Sequence, residues 1–281
     1  MPALMPLPLP LLLSLACLVS ACAGGSSGGM VGPTPVVASQ SPASAASAPA
    51  YVYAGTLARD KSVASRITGI TYPYHVYLPE GYATSGKRYP VMYATDGQWN
   101  FRAFSRMLDQ HRKAMILVSI EQGGPQANRR DVDYSVNGAP AYVRFLREEL
   151  VPLIEASYRP TAVRTYTGTS YGALLGAVML STEDAVRPFF SNYLLFDGSF
   201  WALTAKHIQD EDARFAASKR LPVHLILTSA NAPGNVDDVM AYEARYKARA
   251  YAGLQIDRRD FNVAHNAVGK PSFDWAIDLI D

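Results

Sequence analysis

Cysteine is almost missing from this chain of 281 residues: its two cysteines, Cys17 and Cys22, both lie in the first 22 positions. The stretch from residue 23 onward therefore forms no disulfide of its own, offers no cysteine-rich metal site and has no cysteine nucleophile. Its stability must come from a packed core. Charge is also sparse. Charged residues make up 18% of the chain, the net charge is +2 and the arginines are scattered rather than striped, so nucleic acid is not an expected partner. No Lys or Arg precedes the apolar run Leu11 to Val19, and that run is too short to cross a bilayer as a helix. No internal repeat is present.

What is there at the amino terminus has the form of a targeting segment, residues 1–22, in which small residues follow the apolar run. The sequence Val19-Ser20-Ala21-Cys22 resembles a bacterial lipobox, which implies that Cys22 becomes the lipidated first residue of the mature chain. The expectation is an exported lipoprotein of the bacterial cell envelope, touching the membrane only through that anchor, with secretion to the periplasm as the alternative. Residues 23–50 are Gly, Ser, Ala and Pro-rich, without charge or hydrophobic period, and read as a flexible tether with a reach of about 30 Å. Residues 51–281 are long enough for one α/β domain.

Within that domain, strand-like and helix-like patches alternate. Tyr72 to Leu78, Val91 to Thr95, Met115 to Ile120, Val163 to Thr167, Tyr193 to Phe196, Val223 to Thr228 and Ile256 to Val263 read as strands. Helices are expected over Trp99 to His111, Ala141 to Ser157 with a kink at Pro152, Ala173 to Leu180, Val236 to Ala252 and Ser272 to Ile280. Such alternation predicts a mostly parallel central sheet with helices on both faces and chemistry at the carboxyl ends of the strands.

The organising stretch is Gly168-Thr169-Ser170-Tyr171-Gly172, which fits Gly-x-Ser-x-Gly, a strand, a sharp turn carrying a serine, then a helix. Glycines flank the serine because its backbone is strained and the neighbouring elements pass too close for side chains. A serine hydroxyl needs a base, and of the five histidines His265 stands in the right place, after a strand and before the last helix. His75 and His224 fall inside strands; His111 and His207 lie beside charged residues and are expected in solvent. For an acid behind His265, Asp237 in the loop after Val223 to Thr228 is the first choice. Asn235 could instead cap the next helix, leaving Asp237 and Asp238 as first-turn acids. Asp197 is the alternative position, and a Ser-His dyad without an acid is the third option. An oxyanion hole would combine the N–H of Tyr171 with that of Gln98, in the Asp96-Gly97-Gln98-Trp99 turn.

Together, HVYLPEGY (75–82), YPVMYATDGQ (89–98), RRDVDYS (129–135), FLREELVPLIEASYRP (145–160), TGTSYGALLGAVM (167–179), LFDGSFW (195–201) and His265 resemble the esterase D family of α/β-hydrolases, which includes feruloyl esterase domains, enterobactin esterases and mycolyltransferases. The resemblance implies an α/β-hydrolase fold, a nucleophilic Ser170, His265 as its base, an oxyanion N–H from Gln98, and an aromatic spot at Phe200 and Trp201 beside the substrate. The chain departs from the family where an acid usually follows the strand, having Asn231 and Ala232 there. The expected activity is serine carboxylic-ester hydrolysis on a small-molecule or glycan-linked ester, by a monomer needing neither cofactor nor metal. An acyltransferase with the same nucleophile and a non-catalytic binding lipoprotein are the competing expectations.

Overall fold

A computed structural model of the chain describes residues 51–124 and 129–280. The expectations for residues 1–22 and 23–50, Cys22 included, lie outside these. In chain order the elements are β1 (Thr56–Ala64), β2 (Thr71–Leu78), α1 (Tyr82–Ser85), β3 (Tyr89–Ala94), α2 (Gly97–Gln110), β4 (Ile116–Ile120), α3 (Arg130–Asp133), α4 (Ala139–Arg144), α5 (Val151–Ser157), β5 (Pro160–Thr169), α6 (Tyr171–Ser181), β6 (Asn192–Phe196), α7 (Ala205–Ala217), β7 (His224–Ala230), α8 (Val236–Arg249), β8 (Gln255–Phe261) and α9 (Gly269–Ala276). The strands form one sheet in the order β1-β2-β4-β3-β5-β6-β7-β8. Pairing is antiparallel for β1 with β2 and β2 with β4, and parallel from β4 to β8.

The pleat sorts the strand residues between two cores. Val91, Tyr93, Val118, Tyr166 and Tyr193 point to one face, where they pack with residues of α4, α6 and α8. Met92, Ala94, Leu117, Leu194 and Phe196 point to the other, under α2 and α9. There Phe104 of α2 stacks on Phe273 of α9 with ring centroids 3.7 Å apart. Strands covered on both sides favour apolar residues throughout, and β4 (ILVSI), apolar at all but Ser119, is buried along its whole length. Helix α6 is enclosed almost all round.

Two elements lack the expected sequence signals. Strand β1 is a charged edge strand, TLARDKSVA, with a bulge between Ala58 and Lys61, and its mixed burial gives no clean alternation. Helix α7 carries a mostly charged and polar face. The helix expected over Ala141 to Ser157 is three pieces: α4, a π-helical stretch at Phe145–Leu150, and α5 with Pro152 in its first turn. Proline has no N–H to continue the ladder, so the break falls just before it.

The chain entering β1 is held to α2 by one carboxylate. Asp109 accepts hydrogen bonds from Tyr51 Oη (2.7 Å), Ala54 N (3.1 Å), Gly55 N (2.8 Å) and Tyr77 Oη (3.1 Å). Burial alone would raise its pKa, and these donors outweigh burial and hold it below the usual carboxylate value. The depressed pKa means that Asp109 contributes stability above about pH 4, the ordinary carboxyl range, and that this is lost as pH falls through its lower folded value. Asp109→Asn is expected to lower stability by about 1–3 kcal/mol, read from the urea midpoint at pH 7. The variant should also lose less stability than the wild type between neutral and acid pH.

Candidate active site

Ser170 occupies the turn from β5 to α6 with φ 59° and ψ −117°, a backbone conformation that a side-chain-bearing residue adopts only when its surroundings impose it. They do so through both peptide groups. Its N–H donates to Phe196 O (2.9 Å), and its carbonyl accepts from Ser199 N (3.2 Å) and Leu174 N (3.0 Å). The flanking glycines are required by close approach. A Cβ on Gly168 would lie 2.5 Å from the Gly172 carbonyl carbon, and one on Gly172 would lie 2.5 Å from Thr95 Oγ1. The Ser170 hydroxyl is 3.1 Å from Ser199 Oγ.

His265 begins a short 3-10 turn between β8 and α9, fixed by its N–H donating to Pro233 O at 2.9 Å. Its Nδ1 lies 2.5 Å from Asp197 Oδ2; the carboxylate is fully buried while the imidazole is 41% exposed. A ring held this way at Nδ1 presents Nε2 as a proton acceptor on its open side. Asp197 directly follows β6 and itself has a positive φ of 44°. Its Oδ1 accepts from Ala230 N and Asn235 N, each at 2.9 Å.

The carboxylate that meets His265 is therefore Asp197, not Asp237. The reason lies in the sheet. Asp197 N donates to Thr228 O, continuing the parallel pairing of β6 with β7, so Asp197 sits at the same rim as the β7 loop. Asp237 is exposed in the first turn of α8, with Asp238 beside it. Asn235 does precede α8, but its side chain makes no cap and Nδ2 donates to Asp197 O at 2.9 Å. Of the other histidines, His75 pairs with Glu121, His224 with Asp257, and His111 with Asp274 and Asp278. His207, expected in solvent, is buried, and desolvation lowers its pKa. Among the described residues no group of three or more His, Cys, Asp or Glu could hold a metal ion.

Gln98 and Tyr171 both stand in first helical turns, of α2 and α6, where N–H groups have no intrahelical acceptor and the helix dipole favours negative charge. Residues the sequence did not single out tie these two turns together. Asp96, with φ 60° and almost no exposure, takes Arg130 Nε at 3.0 and 3.2 Å on its two oxygens, and Arg130 Nη2 donates to Thr169 O at 2.8 Å. Burial pushes the Asp96 carboxyl above its ordinary pKa against the pull of Arg130. Arg130 belongs to the RRDVDYS segment, whose charge pattern alone names no partner. Ser199, in LFDGSFW, is the other residue missed. Trp201 is 59% exposed with its ring 6.1 Å from that of Tyr171, whereas Phe200 is buried against Tyr242.

The family model described as Putative esterase matches residues 65–265. No curated protein matches the chain. Among solved structures, an IroE-like serine hydrolase from Shewanella oneidensis is similar at 25% identity and TM-score 0.67, over 78% of this chain and 77% of that one. Two further likenesses are of fold: the BES protein from Bacillus cereus (18% identity, TM-score 0.66, 82% and 95% of the two chains) and the siderophore hydrolase EstA from Aspergillus nidulans (17%, 0.65, 81% and 94%).

The two candidate acids separate in a simple assay. Asp197→Asn is expected to lower kcat for p-nitrophenyl acetate by about 10²–10⁴-fold, the range for losing the carboxylate behind a catalytic histidine. Asp237→Asn should leave kcat near wild type. A reversed order in initial rates, with circular dichroism unchanged in both, would reinstate Asp237.

Proposed function

This chain belongs to the esterase family whose model it matches and is a serine esterase of α/β-hydrolase fold; we propose that Ser170, His265 and Asp197 perform its reaction through an acyl-enzyme. The observation that carries the reading is the His265–Asp197 pair closing on the strand end whose next residues hold the strained Ser170. In this reading the Ser170 hydroxyl gives up Ser199 Oγ as its partner in favour of His265 Nε2. Its oxygen then attacks the ester carbonyl while His265 Nε2 takes the proton. Buried Asp197 stabilises the imidazolium and keeps the ring from turning. The oxyanion is received by the N–H groups of Tyr171 and Gln98. His265 then gives its proton to the departing alcohol. Water, deprotonated by the same nitrogen, cleaves the acyl-enzyme and releases the acid.

Arg130 sets the distance between the two oxyanion amides, because it bridges the Asp96 turn and the residue before the nucleophile. Trp201 contributes an exposed aromatic face beside Tyr171 for the substrate. Residues 1–22 direct export and Cys22 carries the lipid, which places the enzyme in the bacterial cell envelope; mass spectrometry of the mature amino terminus tests this part separately.

Ser170→Ala should reduce p-nitrophenyl ester hydrolysis on the order of 10⁶-fold and abolish labelling by a fluorophosphonate. Hydrolysis at the wild-type rate by folded Ser170→Ala protein would remove the reading altogether. Arg130→Gln is expected to lower kcat on the order of 10- to 100-fold with KM little changed, since it displaces transition-state donors rather than a substrate contact.

A further inference from the structure

Beside the site, the outer face of α2 is the floor of a groove. Trp99, Arg102, Ala103, Arg106, Met107 and Gln110, at helical spacing, line a cavity of about 460 Å³ with Lys270 on its far wall. A second cavity of about 260 Å³ continues it past Arg102 and Arg106 to Arg59, Tyr51 and Tyr53. From Trp99 to Gln110 the floor runs about 16 Å at the rise of an α-helix.

Both walls of the upper end are fixed to the catalytic rim. Trp99 follows Gln98 directly, and its N–H donates to Asp96 O at 3.0 Å. Lys270 follows Gly269, whose missing Cβ would lie 3.4 Å from Thr169 Oγ1, next to Ser170 in the chain. The upper end of the groove therefore borders the rim that carries Ser170.

The lining has one sign of charge. Arg59, Arg102, Arg106 and Lys270 are exposed cations, and no carboxylate lines either cavity. Among the described residues none of the four makes an ion pair, whereas eight of the other 16 arginines do. Residues 1–50 contain no charged side chain that could answer them. The nearby Asp109 is committed to its own donors. Two of the guanidinium groups are steadied by rings, Arg106 at 4.6 Å from the Tyr51 centroid and Arg59 at 5.8 Å from that of Phe101, which leaves their N–H edges free. Trp99, 64% exposed at the mouth, offers a flat face for a ring.

We propose that this groove is a subsite for an acidic portion of the ester substrate, a chain bearing carboxylates or phosphates spaced along it. The proposal rests on Ser170 being the nucleophile, and it gives that site its substrate class. Cations one helical turn apart, as Arg102 and Arg106 are, suit anionic groups about 6 Å apart. Fixed, unpaired arginines bind such groups without first having to leave a protein partner.

The experiment titrates trigalacturonate, tripolyphosphate and neutral maltotriose into wild-type and Ser170→Ala protein by calorimetry. At least one anion should bind both proteins, more weakly as salt rises, and maltotriose should not; the tighter anion identifies carboxylate or phosphate as the natural group. Arg102→Gln/Arg106→Gln should raise Kd about tenfold or more, the effect of losing charge-assisted hydrogen bonds. Arg144→Gln, which removes charge from an exposed helix elsewhere, should not change it. Anions that bind no better than maltotriose, or an equal loss in the Arg144 variant, would overturn the subsite. Using Ser170→Ala as receptor separates this from the catalytic reading, because binding is scored where no acyl transfer to Ser170 can occur.

Discussion

A carboxylate with no access to water must be surrounded by donors, and at Asp197 those donors come from three different parts of the chain. Ala230 closes β7, Asn235 opens α8, and His265 follows β8. An unpaired charge in that position would cost several kcal/mol, so the loops after β7 and β8 are constrained to the places where they can satisfy it. The same requirement aims His265. Asp197 is thus both the carboxylate that meets His265 and the clamp that gathers three strand ends at one rim.

Backbone strain collects at that rim as well. Asp96, Ser170 and Asp197, at the carboxyl ends of β3, β5 and β6, all have positive φ. Aspartate tolerates the left-handed region better than most residues, which suits the first and third. Ser170 has no such allowance at ψ −117°, and its conformation persists because Phe196, Ser199 and Leu174 hold its peptide groups. The buried Arg130–Asp96 pair adds a second crosslink, between β3 and β5. Burying two charges is a poor route to stability, and the pair is better understood as fixing the spacing of two helix amino termini.

Much of the architecture is legible in the residues because the physics involved is local. Short apolar runs rich in β-branched and aromatic residues suit strands covered on both faces, and β4 and β6 follow that rule. Strand β1 and helix α7 escape it because each is exposed on one side and filled with charge, so no hydrophobic period betrays them. The break near Pro152 is readable from the missing N–H, though the π-helical form it takes at Phe145–Leu150 is not.

Sequence alone determined the elbow. Glycines at 168 and 172 around a serine state, through the absence of side chains, that backbones cross there, and His265 could be placed from its position between the last strand and the last helix. Which carboxylate meets His265 was decided only in three dimensions. Asp237 and Asp197 are the same residue type and each comes after a strand, and nothing local distinguishes them. What distinguishes them is that parallel pairing carries the end of β6 to the level of the β7 and β8 loops, while α8 turns Asp237 outward. The four cations of the groove, on β1, α2 and α9, are scattered in the chain and line one groove only when those elements pack together.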